Sequence, residues 1–389
     1  MKPRKIAVVT TSRADAGHLH CILQDLAANP RVDLRLISMG AHLSPVFGHT
    51  GRAFHKKNLP PSVALECLLS SDTDIGMAKT IGVATLGLAD ALGEMRPDLI
   101  LLTADRYEML APAAVALALR IPIAHIEGGE ISEGAIDDAV RNAITKMAHL
   151  HFACTQNARE RIIQMGEEPW RVHFTGSPSL DQLTRNRLLT RAQVQRQLGI
   201  SISTTTIIVV HHPVTLLRDT TRESAALFEA LSKTDANFIF VYPNADAGSH
   251  ALIARTKAFL AERPNSHLLV NLDHRLYLSL LSHSALLVGN SSSGIIEAAS
   301  LALPVVNIGI RQKGRDHAAN VLDVPASAPA IRAAIAKTQT PRFRKAIHNL
   351  DNPYGTGHAS RKIVELLTTV KLSEKLLFKR SKSELSKSK

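Results

Sequence analysis

TADRYEML (residues 103–110), PIAHIEGG (122–129) and EISEGAIDDAVRNAITK (130–146) decide how this 389-residue chain is read. Two short apolar runs lead into them, DLILLTA at 98–104 and IPIAHI at 121–126. Buried parallel strands read as continuous apolar runs of this kind, because both faces are covered. Each run ends on an acid, Asp105 and Glu127. Asp137 and Asp138 stand ten residues further on, where a new helix should start. Side chains at the carboxyl ends of parallel strands converge on the crevice in which open α/β sheets bind ligands. Asp105, Glu127 and one of Asp137 and Asp138 are therefore expected to meet. Taken singly, each acid reads equally well as a helix cap or a strand end; together they exceed that need.

Outward from this stretch, strands and helices alternate. Strands are expected at 5–11, 32–39, 97–103, 121–126, 150–155 and 172–176, with helices at 14–28, 74–93, 106–119 and 136–149 and one ending at Met165. The segment 44–72 reads as irregular. A hinge falls near SPSL (177–180), and a polar helical patch follows at 191–197. A second set of strands is expected at 206–210, 238–241, 267–271, 285–288 and 305–308. Alternation of this kind argues for doubly wound parallel sheets. The expected division is 1–178 and 179–370, two α/β halves with a cleft between, the helix at 360–370 crossing back to the first. Residues 371–389 read as a basic, disordered tail.

Length suits two domains, and 45% hydrophobic with 21% charged residues suits a packed core. No run of about 18 apolar residues suggests a membrane span. Residues 6–11 read as a first strand and not as a signal peptide. Cys21, Cys67 and Cys154 form no CxxC pattern and read as buried thiols in a reducing cytoplasm. The net charge is +12; the tail carries seven Lys/Arg against two Glu, a net +5, which leaves +7 for the body. Without interleaved aromatic residues there is no stacking platform for nucleic acid. A basic body suits a phosphate-bearing small substrate.

TSRAD (11–15) lies between a strand and a helix. A polar turn there is an anion site to which Arg13 adds a bidentate contact, or simply a cap made by Ser12 or Asp15. GNSSSG (289–294) also opens a helix after a strand. Its N–H groups and serine hydroxyls would cradle a diphosphate, and Glu297, on the first turn, would accept ribose hydroxyls. The alternative is a capping box with Ser293 as N-cap. Arg311, Lys313 and Arg315 follow the next strand and offer positive charge to the same diphosphate. His211 and His212 end a strand and precede a proline, a good place for a catalytic histidine. Neither GxGxxG nor HExxH is present, so no dinucleotide or metal site is expected.

SRAD (12–15), DRYEML (105–110), HIEGGE (125–130), IDDAVRNAITK (136–146), HPVT (212–215), YPNAD (242–246), GNSSSGIIEA (289–298) and RQKGR (311–315) together carry a resemblance over residues 4–370. The chain resembles the hydrolysing UDP-N-acetylglucosamine 2-epimerases of bacterial sialic-acid and related pathways. It is more distantly similar to the non-hydrolysing epimerases, and HIEGGE with IDD favours the hydrolysing branch. The resemblance implies two Rossmann-like domains in a glycosyltransferase-B arrangement, with UDP-sugar in the cleft, no cofactor, no metal and a homo-oligomer. It places Asp105, Glu127, Asp137 and His212 at catalytic positions, and Arg13, Arg106, Asn244, Ser291, Ser292, Glu297 and Arg311 on the UDP-sugar. The implied reaction converts UDP-N-acetylglucosamine and water to N-acetylmannosamine and UDP. The same reaction on UDP-N,N'-diacetylbacillosamine is the alternative; a glycosyltransferase or a UDP-sugar sensor is more remote. Ala16, Ala104 and Asn142 depart from the family's usual residues.

Overall fold

The computed structural model describes residues 2–46, 59–60, 62–69, 71–103, 106–270 and 272–380. Asp105 and Ala104 lie outside them. The chain forms two compact units, and it passes between them more than once. The first unit is Met1–Glu130, Asp137–Asp181 and the chain from Gly357 on; the second is Ile131–Ile136 with Gln182–Thr356. The expected boundary near residue 178 and the return of the last helix to the first unit both appear, and residues 131–136 add a crossing that was not expected. The six residues 131–136 pack in the second unit: Glu133 N donates to Lys313 O at 3.1 Å, and Ile136 N to Thr215 Oγ1 at 3.0 Å.

The first unit is built on β1 (Arg4–Thr10), β2 (Val32–Met39), β3 (Ser62–Leu65), β4 (Leu99–Thr103), β5 (Ile123–Ile126), β6 (Leu150–Ala153) and β7 (Val172–Phe174). All are parallel, in the order β3-β2-β1-β4-β5-β6-β7. Helices α1 (Arg13–Ala27), α2 (Asp74–Met95), α3 (Leu110–Ala118), α4 (Asp137–Met147) and α5 (Gln156–Gln164) supply the crossovers. Every residue of β4, β5 and β6 is buried, which is why these strands read as unbroken apolar runs. Strand β3 was not expected: it is a four-residue edge strand with Val63 42% exposed, and it carries no such run.

α2 is long and apolar enough to cross a membrane by length and composition. It nevertheless buries Thr80, Ala84, Leu88 and Leu92 as one stripe of this unit. Its other face leaves Ile75 64%, Val83 41% and Leu86 75% exposed.

In the second unit, α6 (Arg191–Leu198) leads into β8 (Ile207–Val210), followed by α7 (Ser224–Ser232), β9 (Phe238–Val241), α8 (Ser249–Ala261) and β10 (His267–Leu269). Then come α9 (His274–Ser282), β11 (Leu286–Gly289), α10 (Ser292–Ile296), β12 (Val305–Ile308), β13 (Val321–Val324) and α11 (Ala328–Thr338). The parallel order is β10-β9-β8-β11-β12-β13. Phe228, Phe238, Phe240 and Phe259 form one aromatic cluster in its core. β13 is a second strand beyond expectation, an edge strand with exposed Asp323 that breaks the apolar pattern.

The chain returns to the first unit as α12 (Ala359–Thr369) and α13 (Glu374–Leu377). The reading of everything after 370 as a solvated tail does not hold through Arg380. Arg171, wholly buried, donates from its guanidinium to the carbonyls of Lys375, Leu376 and Phe378 at 2.6–2.9 Å. Lys379 Nζ reaches Glu167 Oε2 at 2.8 Å. Residues 381–389 lie outside the described part.

Candidate active site

Strand order reverses once in each sheet, between β1 and β4 and between β8 and β11. Two loops diverge at each reversal, leaving a crevice at the strands' carboxyl ends. The described residues singled out from sequence lie in those loops or beside them.

In the first unit, the turn after β1 begins α1. Ser12 is the N-cap and Asp15 completes a capping box. Asp15 Oδ2 also accepts from Thr11 N at 2.7 Å, Thr11 Oγ1 at 2.6 Å and Ser12 N at 3.0 Å. The protein's own carboxylate thus takes up two of the N–H groups expected to cradle an anion. Arg13 stands half-buried at the first helical position. His42 follows β2 and touches Thr10 Oγ1 at 2.9 Å. Burial pushes its pKa down to about 4, against the opposing pull of Asp15.

Arg106 is buried and donates to Glu108 Oε1 at 3.1 Å. Glu127 follows β5 with φ +68, a left-handed backbone that side chains disfavour. It is buried, and His18 Nδ1 donates to its Oε1 at 2.7 Å. The turn beyond it is pinned by two arginines: Arg161 Nε donates to Gly129 O at 2.5 Å and Arg141 Nη1 to Glu130 O at 2.8 Å. Asp137 and Asp138 open α4, as expected. Asp137 is buried, while Asp138 accepts from Arg141 at 3.3 Å and Asn142 Nδ2 at 3.2 Å. Asn142, a departure from the family pattern, therefore ties Asp138 and leaves Asp137 as the buried acid of the pair.

In the second unit, Asn290 clamps the reversal. It accepts from His212 N at 2.7 Å through Oδ1 and donates to His212 O at 2.9 Å through Nδ2. Gly289 makes the close approach possible: a Cβ there would lie 2.0 Å from Val210 O. The His212 ring is buried, and its Nδ1 accepts from Asn244 N at 3.1 Å. The neutral ring therefore carries its proton on Nε2, a donor for an anion. Asn244 contributes to this site through its backbone. His211 is buried with Nδ1 lacking a partner among the described residues, and burial beside Arg311 pushes its pKa down to about 3, so it is neutral.

Ser291, not Ser293, is the N-cap of α10, and it receives Ser293 N at 3.3 Å. Ser293 Oγ is held by Tyr277 OH at 2.6 Å. Ser292 is the first helical residue, half-buried. Glu297 falls at the C-cap of this short helix and not on its first turn. It is buried, 3.7 Å from His274 Nε2 through Oε1, and its Oε2 has no partner among the described residues. A buried oxygen left so is unusual and fits a ligand hydroxyl. Arg311 donates to Asn290 O at 3.1 Å and leaves a buried Nε unpartnered among the described residues, which fits an anion.

The other two cations expected here are engaged elsewhere. Lys313 pairs with Glu133 at 2.8 Å, and Arg315 bonds Gln312 and Tyr354. Sequence reasoning passed over His18 and Asn290, whose partners lie far away in the chain. Among the described residues no three His, Cys, Asp or Glu side chains group so as to hold a metal ion.

Comparison with known proteins agrees with the architecture. The family described as UDP-N-acetylglucosamine 2-epimerase matches residues 24–368. The UDP-N,N'-diacetylbacillosamine 2-epimerase (hydrolyzing) of Legionella pneumophila is 33% identical over 377 residues, 97% of this chain and 98% of that one. The GDP/UDP-N,N'-diacetylbacillosamine 2-epimerase (hydrolyzing) of Campylobacter jejuni is 34% identical over 328 residues, 83% of this chain and 85% of its own. Among solved structures, UDP-GlcNAc 2-epimerase from Neisseria meningitidis bound to UDP-GlcNAc superposes with a TM-score of 0.79 at 19% identity, covering 94% of this chain and 100% of that one.

Proposed function

The chain belongs to the UDP-N-acetylglucosamine 2-epimerase family, and on that premise we propose that it acts on UDP-N,N'-diacetylbacillosamine, releasing UDP and the free 2-epimerised sugar. It is a UDP-sugar 2-epimerase of the hydrolysing kind. What supports this choice of sugar is the near full-length likeness to the Legionella enzyme. UDP-N-acetylglucosamine, the first choice from the resemblance, stays as the competing substrate because the family's name rests on it.

In this reading the second unit holds the nucleotide. Ser291 and Ser292 receive the diphosphate with Arg311, whose Nε has no partner among the described residues. Glu297 Oε2 takes ribose hydroxyls. The His212 Nε2 proton donates to the diphosphate as it leaves, stabilising the charge that develops. Arg13 and Arg106 contribute to substrate binding from the first unit.

The reaction has two steps. A base takes the C2 proton while the C1–O bond breaks and its electron pair leaves with UDP, giving a 2-acetamidoglycal. Water then adds to C1, and a proton returns to C2 on the opposite face. Such a C2 proton is weakly acidic, so positioned acid and base groups are required. Glu127 and Asp137, both buried, supply them together with Asp105.

The chain is also proposed to act as a homo-oligomer. The exposed Ile75, Val83 and Leu86 of α2 support this, as does the placing of Lys79 and Asp90 on the same exposed face. A second copy of α2 lying antiparallel would set each lysine against an aspartate. Sedimentation should then give a dimer or larger species, and a monomer at micromolar concentration would refute it.

Proton NMR in deuterated water, with each UDP-sugar in its own tube, tests the function. Free 2-epimerised sugar carrying deuterium at C2, with UDP beside it, is expected, faster from the diacetylbacillosamine donor. Epimerised sugar still attached to UDP would refute hydrolysis, and faster release from UDP-N-acetylglucosamine would reverse the choice of sugar.

A further inference from the structure

His18 lies on α1 just past the SRAD turn, and its Nδ1 meets Glu127 Oε1 at 2.7 Å. The two side chains are 13% and 4% exposed and 109 residues apart in sequence. Glu127 is itself held in an unusual way. Its φ of +68 is one that side chains seldom adopt, and the next residues offer it no slack. A Cβ on Gly129 would fall 2.3 Å from Ala158 O, and one on Gly128 would fall 2.9 Å from Thr145 Oγ1. Backbone strain of this kind persists where surrounding structure enforces it, and it clusters at functional positions. The backbone thus fixes where the carboxylate starts, and His18 fixes where it ends.

We propose that His18 is a positioning residue for Glu127 in proton transfer at the sugar C2, resting on the function proposed above. A donor at 2.7 Å to one carboxylate oxygen is a charge-assisted contact that selects one rotamer. A base must sit within hydrogen-bond reach of the proton it takes. A displacement of 1 Å is enough to lower turnover about 10²-fold. Removing His18 therefore lowers kcat by about that factor, while KM and UDP affinity stay within about three-fold because the nucleotide is held elsewhere.

A double-mutant cycle on the full-length enzyme tests this, with steady-state UDP release from both UDP-sugars and calorimetric UDP binding. The variants are His18→Ala, His18→Asn, Glu127→Gln and the pairs. His18→Asn keeps a side-chain N–H near the place of Nδ1 and should recover at least ten-fold over His18→Ala. In the Glu127→Gln background, loss of His18 should change kcat by less than about three-fold, since its partner is already disabled. His18→Asn also carries the cycle should His18→Ala fail to fold. Equal losses in both backgrounds, no rescue by asparagine, or unaltered kcat in His18→Ala would each overturn the inference and leave the function standing. Wild-type enzyme releasing UDP from neither sugar would overturn the function, and this inference with it.

Discussion

Glu127 and Asp137 are buried acids of the first unit, whereas Ser291, Ser292 and Arg311 belong to the second. Glu127→Gln and Asp137→Asn should accordingly lower kcat by about 10²-fold or more and leave UDP binding within about three-fold. Calorimetry with UDP beside turnover assays separates the two effects; loss of UDP binding in both variants would refute the catalytic assignment. These acids were legible because each ends an apolar run or opens an amphipathic one, a pattern that chain order preserves. His18 and Asn290 were not. The first meets its partner 109 residues away and the second 78 residues away, and contacts at such separations leave no periodic trace in sequence. The roles of Lys313 and Arg315 were misread for a related reason. Charge marks a cation in sequence, but the neighbours Glu133 and Tyr354 that engage it come from folding.

The interior strands of both sheets were legible since burial on two faces forces apolar residues at every position. The edge strands β3 and β13 carry exposed and polar residues and lack that mark. Helix caps were half legible: a run of serines shows that a helix begins, but only the backbone shows that Ser291 and not Ser293 makes the cap. One short element pair holds the second reversal together. β11 ends with Gly289 at φ +142, a Cβ-free position facing the O of Val210 at the end of β8. Gly289→Ala should destabilise the second unit by more than about 2 kcal/mol, through both overpacking and strain. It should also abolish UDP binding, since the Asn290 clamp on His212 depends on that approach. A thermal melt and UDP titration matching wild type would contradict this account.

Two α/β halves and the return of the last helix to the first were visible in sequence, but not the excursion of residues 131–136 into the second unit. At this scale buried histidines shape the response to acid, His42, His149 and His211 among them. Burial pushes His42 and His149 to about 4 and His211 to about 3. Each stays neutral in the folded protein and takes up a proton near 6.5 once unfolded. The unfolded chain thus binds more protons below about 6.5, so stability is lost as pH falls from there towards about 4. Urea unfolding at pH 5 against pH 7 should show a loss of about 1–2 kcal/mol for each histidine, and an unchanged midpoint would refute it. Ending the chain at Val370 should lower the first unit's melting temperature by about 5–10 °C. Arg171 would lose three carbonyl acceptors while staying buried, and Glu167 would lose Lys379. Calorimetry on the truncated protein checks this. The interleaved chain also has a bearing on how the protein is made. A ribosome delivers the chain from the amino end, so the first unit's final helices emerge only after the entire second unit has been translated. Until then a nascent chain holds β7 and Arg171 with their closing segment still unsynthesised. The amino-terminal half is therefore the last to be finished, and chaperones meeting the growing chain would find it open for most of synthesis.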